Sequence, residues 1–152
     1  MNRWLPVVLS IVVIMLSSCG KSSIPKSQLS GPEQNLLAAL NDYRVSQGKS
    51  VLEPAESLTS LAREDAARRT LNKEGYIDNR RRTGYERMLS LAGKAAEGED
   101  FGSKLMSLWQ RQPVQKVWLG GSYAGVGIGT AVSPSGLQTG VLLLGGFSED
   151  GL

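Results

Sequence analysis

The chain contains no histidine. That absence excludes the Ser-His-Asp triad, Cys-His nucleophilic pairs and every zinc site built on imidazole. A single cysteine, Cys19, is present, so no internal disulfide can form and the core must hold the domain. Hard cations bound by oxygen ligands are the metals still open to such a chain. Neither a calcium-loop pattern nor a glycine-rich phosphate loop before a helix occurs. Gly125, Gly127 and Gly129 do not make a dinucleotide fingerprint, because the third glycine falls too early and no helix is expected after it. The formal charge is only +3, too mild a field to imply nucleic acid as a partner. Trp4 to Leu16 is apolar apart from Ser10 and interrupted only by Pro6. Such a run is shorter than the ~20 residues of a spanning helix.

What is there begins with that run. Asn2 and Arg3 precede it, and Leu16-Ser17-Ser18-Cys19 ends it. This is the architecture of a signal peptide, and its end resembles the lipobox of bacterial lipoproteins. The resemblance implies acylation of the Cys19 thiol, cleavage before it and acylation of the new amino group. Two or more acyl chains, at ~0.8 kcal/mol per buried methylene, anchor a protein stably. Residues 1–18 are therefore expected to be signal peptide, leaving 134 of the 152 residues with side-chain charge +2. Membrane lipid is the expected partner of Cys19, with the domain facing the periplasm or the cell exterior. Gly20 is not the aspartate that retains lipoproteins in the inner membrane of enteric bacteria. Lys21-Ser22 resembles an inner-membrane retention signal of pseudomonads. The choice between inner and outer membrane stays open.

Residues 19–30 are Ser, Lys, Gly and Pro-rich and read as a lipidated flexible tether, with one domain over 31–152. Ser30 and Glu33 form a capping box, and Pro32 falls in the first turn. Leu36, Leu37, Leu40 and Tyr43 follow at helical spacing up to Gly48, with Asn41 and Arg44 towards the polar side. A second helix is predicted from Glu56 to Lys73, ended by Gly75. Leu58, Leu61, Ala62 and Ala66 make its apolar face, and Asp65 borders it. Asp65 is either a cavity carboxylate or a partner for Arg68 or Arg69, and surface pairing is favoured. Arg80-Arg81-Arg82 would meet anionic head groups or remain a solvated loop.

Thr83 and Glu86 suggest another capping box, with Tyr85, Met88, Leu89 and Ala92 continuing as a short helix to Gly93. A further helix is expected from Gly102 to Gln112, with Leu105, Met106 and Trp109 inward and Pro113 breaking it. Ser122 to Val132 alternates, placing Val126 and Ile128 on one face and Gly125, Gly127 and Gly129 on the other. Glycines on one strand face allow a helix or another backbone to approach closely. Ser133-Pro134-Ser135-Gly136 is a turn. Leu137 to Phe147 then pairs as the second strand of an antiparallel hairpin, with Val141 to Leu144 suited to burial on both faces.

The order of these segments resembles the CAP superfamily, in particular the bacterial SCP-like domains. The resemblance rests on Asn41-x-x-Arg44, on Ala62-Arg63-Glu64-Asp65-Ala66 and on Gly98-Glu99-Asp100-Phe101. Trp109 with Pro113, and Gly125-Val126-Gly127-Ile128-Gly129, complete it. It implies an α+β fold, an α-β-α sandwich with a small antiparallel sheet between helices. It also implies a surface cavity where family members often place two histidines and two acidic residues. Here those positions look like Asn79, Gln115, Glu99 and Asp65, with Glu64 as the other choice for the last. Glu99 could alternatively cap the following helix.

Asn and Gln keep hydrogen-bonding capacity. They exchange no proton near neutral pH and ligate borderline metals weakly. The resemblance thus implies a non-catalytic binding module without metal or cofactor, serving an envelope protein, a glycan or a small apolar ligand. Two alternatives remain. One is a glycan hydrolase pairing Glu99 with Asp65 or Glu64, which needs carboxyl groups ~5–10 Å apart across a cleft. The other is a structural or assembly lipoprotein.

Overall fold

Asn41 and Arg44, expected on the polar side of the first helix, point inward and join it to the chain around it. The structure, a computed structural model, describes residues 22–71 and 83–147. The signal segment, Cys19, Gly75, Asn79 and Arg80–Arg82 lie outside the described residues. A short 3-10 turn at Lys26–Gln28 leads into α1 (Gly31–Ser46), and α2 (Glu56–Thr70) follows. Then come β1 (Arg87–Ala96), α3 (Phe101–Gln110), α4 (Pro113–Leu119), β2 (Gly125–Val132) and β3 (Leu137–Gly146). The sheet is antiparallel in the order β1-β3-β2.

Helices cover both sheet faces. Leu36, Leu40, Phe101, Leu105 and Trp109 from α1 and α3 pack with Ile128, Leu142 and Leu144. Leu58, Leu61, Ala62 and Ala66 of α2 pack with Val141 and Leu143. Successive β3 side chains therefore enter opposite cores, as a continuous apolar strand requires. The fold is α+β with helices on both faces of a small antiparallel sheet, as expected.

The glycine face of β2 meets α2. A Cβ placed on Gly127 would lie 2.3 Å from the Leu58 carbonyl, and one on Gly129 2.2 Å from the Ala62 carbonyl. The hairpin registers Gly125 with Gly145 and Val132 with Gln138.

Two further expectations are corrected, and one is extended. The segment read as a short helix from Tyr85 to Gly93 is the strand β1, paired with β3 from Arg87–Gly146 to Ala96–Leu137. Its Leu89 and Leu91 face one core while Met88 and Ala92 face the other. With Tyr85, which precedes the strand, that alternation leaves apolar residues at positions 85, 88, 89 and 92, which mimic a helical stripe. Pro113 ends one helix and opens another, because a residue without N–H suits the first turn. Finally, residues 22–30 are packed rather than a loose tether. The Glu56 N–H donates to the Ser22 carbonyl at 3.0 Å, and the Ile24 N–H donates to Pro54 at 2.9 Å. Ile24 and Leu29 are buried, giving the segment two apolar anchors in an otherwise polar run.

The capping box at α1 forms and gains a partner. The Ser30 N–H donates to Glu33 Oε2 at 2.8 Å. Arg63 of α2 donates from Nε to Oε1 at 2.8 Å and from Nη2 to Oε2 at 2.7 Å. Glu33 is 2% exposed. Burial pushes its carboxyl up, but the Arg63 and Ser30 hydrogen bonds and the Arg63 charge outweigh this and hold it below the ordinary value of 4.5. A carboxyl lowered in the folded state stabilises above its unfolded pKa and loses that contribution as pH falls through the folded one. We expect urea stability to drop by about 1–2 kcal/mol from about pH 5 downward, the scale of charge-assisted bonds. Glu33→Gln should flatten that slope. An unchanged slope in the variant would remove Glu33 from the acid response.

Candidate functional site

Glu99 stands in the turn between β1 and α3, and its position is set by Asn35 of α1. The Asn35 Nδ2 donates to the Glu99 carbonyl. Its Oδ1 accepts from the Gly102 N–H at 2.6 Å, so a side chain from one helix caps another. Gly102 is required there, since a Cβ would lie 2.5 Å from the Asn35 carbonyl oxygen. The Glu99 side chain does not cap α3, and it is exposed.

Glu97 and Glu99 border an open groove of about 510 Å³. Gly31, Pro32 and Asn35 contribute from α1 and Gln138 from β3. Gln138 is 4% exposed, and its amide makes no hydrogen bond among the described residues. The groove thus combines two solvated carboxylates, one committed amide and one uncommitted amide. Such a set can hydrogen-bond hydroxyl and amide groups of a ligand.

The other expected cavity residues do not join it. Asp65 is buried on α2, across the sheet from Glu99, and its Oδ2 accepts from Arg69 Nε at 2.9 Å. Arg69 is thus its partner, but the expected surface location is corrected: Asp65 is 4% exposed, so the pair has one buried end. Its Oδ1 has no hydrogen-bond partner among the described residues. Gln115 is half-buried on α4, outside the groove lined by Glu99. Asn79 lies outside the described residues. Neither Asp65 nor Glu64 of α2 lines the groove that Glu99 borders. Among the described residues, no group of three or more His, Cys, Asp or Glu side chains is placed to hold a metal ion.

Asn35 and Gln138 went unnoticed in the sequence. Asn35 carried a faint signal, since asparagine disfavours helix interiors. Gln138 carried none.

This arrangement defines an α-β-α layered domain with a polar groove at the β1–α3 turn. No family model matches the chain, and no curated protein matches it. Among solved structures the fold is similar to that of an outer surface protein from Borrelia burgdorferi. The TM-score is 0.66 at 14% identity, covering 84% of this chain and 99% of that one. The two chains share a fold.

Proposed function

We propose that the chain is an envelope lipoprotein acylated at Cys19, with an SCP-like domain that serves as a non-catalytic binding module. The observation that carries this reading is the short spacing between the lipobox and the packed domain. Only Gly20 and Lys21 separate Cys19 from Ser22, whose carbonyl is already bonded to α2. Three residue spacings reach at most ~11 Å. An acylated Cys19 would therefore hold this edge of the domain directly at the bilayer surface. The described helices include none long and apolar enough to cross a membrane, and the structural neighbour from Borrelia is an outer surface protein. The groove at Glu97, Glu99, Asn35 and Gln138 is the place we assign to a glycan or an envelope protein.

Metabolic labelling with a fatty-acid analogue tests the anchor: the label should appear on the wild type and vanish in Cys19→Ala. The seating is tested in vesicles carrying head-group quenchers, with a fluorophore on Lys26→Cys or Ser107→Cys of the acylated chain. Quenching should be severalfold stronger at position 26. It should fall when ten Gly and Ser residues are inserted after Lys21. Equal quenching at both positions would rule out the close seat.

A further inference from the structure

A second groove, of about 470 Å³, lies between β1 and the outward face of α3. Its charge is of opposite sign to that of the groove at Glu99. Lys94 comes from β1, Ser103, Lys104 and Ser107 lie along one side of α3, as helical spacing dictates, and Arg111 follows at the C-cap of that helix. One carboxylate faces them: Asp100 pairs with Lys104 at 3.0 Å. Lys94 and Arg111 make no ion pair or hydrogen bond among the described residues, and neither do the Ser103 and Ser107 hydroxyls. Two uncommitted cations and two uncommitted hydroxyls thus line one concavity, beside a Leu108 that is 42% exposed.

We propose that this groove binds a phosphate-bearing ligand. A phosphate offers several acceptor oxygens and up to two charges, which suit a planar guanidinium, an ammonium and hydroxyl donors together. A single carboxylate would leave most of these donors unused. The position in the fold adds a second point. The ladder runs β1–β3–β2, then Pro54 beside Val126, then Ser23 beside Ala55. The groove is therefore four strand spacings, roughly 19 Å, from the segment that joins Cys19. This outward orientation rests on acylation of Cys19, as proposed above; the binding itself does not.

The test titrates the acylated full chain, held in phosphatidylcholine nanodiscs, with glucosamine 6-phosphate and with glucosamine. Saturable binding of the phosphorylated sugar alone is expected. Lys94→Glu with Arg111→Glu should weaken it at least about tenfold, the scale of losing charge-assisted bonds. Ser107→Asp should weaken it severalfold. All three positions are exposed, so melting temperatures should stay unchanged. A parallel arm offers phosphatidylglycerol vesicles. Vesicle capture lost in the same variants supports the site with a lipid head group as its source, whereas sugar binding without capture supports a soluble or glycan-borne phosphate. Repeating the titration with Cys19→Ala separates the site from the anchor, because binding should persist there. No saturable binding to either probe, or binding unaffected by both sets of variants, overturns the proposal.

Discussion

Gly129→Val is expected to destabilise the domain by about 3–5 kcal/mol, a large share of the ~5–15 kcal/mol that holds a domain of this size. A Cβ at Gly129 would sit 2.2 Å from the Ala62 carbonyl carbon and oxygen and 2.3 Å from the Arg63 nitrogen. These are backbone atoms inside a helix, so no side chain can rotate away. The clash is relieved only by lifting α2 from the sheet. That movement would open the core formed by Leu58, Ala62, Val141 and Leu143. It would also drag Arg63 away from the buried Glu33 carboxylate. Gly136 provides the control. It has φ of 82° in the β2–β3 turn, but nothing lies within 4 Å of its would-be Cβ. Gly136→Ala should therefore cost only about 1 kcal/mol, through backbone strain alone. Urea midpoints of the two variants decide the matter. Equal midpoints would show that α2 does not depend on the glycine face of β2.

That glycine face was legible because alternation and residue size both act locally. Gly125-x-Gly127-x-Gly129 can leave one strand face bare only if something approaches it, and α2 does. The Ser30–Glu33 box and the two-sided burial of Val141–Leu144 were legible for the same reason. β1 was misread because Tyr85, Met88, Leu89 and Ala92 satisfy a helical period over so short a span. What selects the strand is the ten-residue ladder to Leu137–Gly146, an interaction with a distant part of the chain that no local pattern contains. Residues 22–30 failed in a related way. Their composition is that of a linker, and it is contacts with distant residues that turn them into part of the domain: the Pro54 and Glu56 backbone groups, the Arg63 guanidinium on the Gln28 carbonyl, and the burial of Ile24 and Leu29.

The site was less legible than the fold. The resemblance to SCP-like domains implied a cavity at Glu99, and Glu99 borders the β1–α3 groove without Asp65 or Gln115. It grouped Glu99 with Asp65, yet α2 places that carboxylate on the other sheet face beside Arg69. Sequence order cannot reveal which layer a helix joins. Asn35, which fixes the Glu99 turn through two hydrogen bonds, lies 64 residues away in the chain, beyond any motif.

Arg44, expected on the polar side of α1 but buried in the structure, carries the second large effect. Arginine is rarely buried, but Arg44 is 3% exposed and has no carboxylate partner among the described residues. Its Nε donates to the Ser50 carbonyl at 2.9 Å, and its Nη1 donates to Leu119 at 3.0 Å and Gly121 at 2.9 Å. The Tyr123 ring lies 5.9 Å from the guanidinium carbon. One rigid fork thus joins the end of α1 to the chain that leaves α4 and enters β2. Arg44→Ala should cost about 3–5 kcal/mol, because three carbonyls lose their donor at ~1–3 kcal/mol for each one left buried. A fall in Tm of roughly 10–20 °C corresponds to that loss. Arg44→Lys should recover only a minor part, since an ammonium on a flexible stem cannot span the three carbonyls as a planar fork does. Hydrogen exchange supplies a readout that lost packing alone would not give. Amides of α4 and of residues 119–123 should lose protection in Arg44→Lys before those of α2, which Arg44 does not touch. Uniform loss across both helices would instead mean that the guanidinium contributes bulk to the core, not a specific tie between α1 and α4.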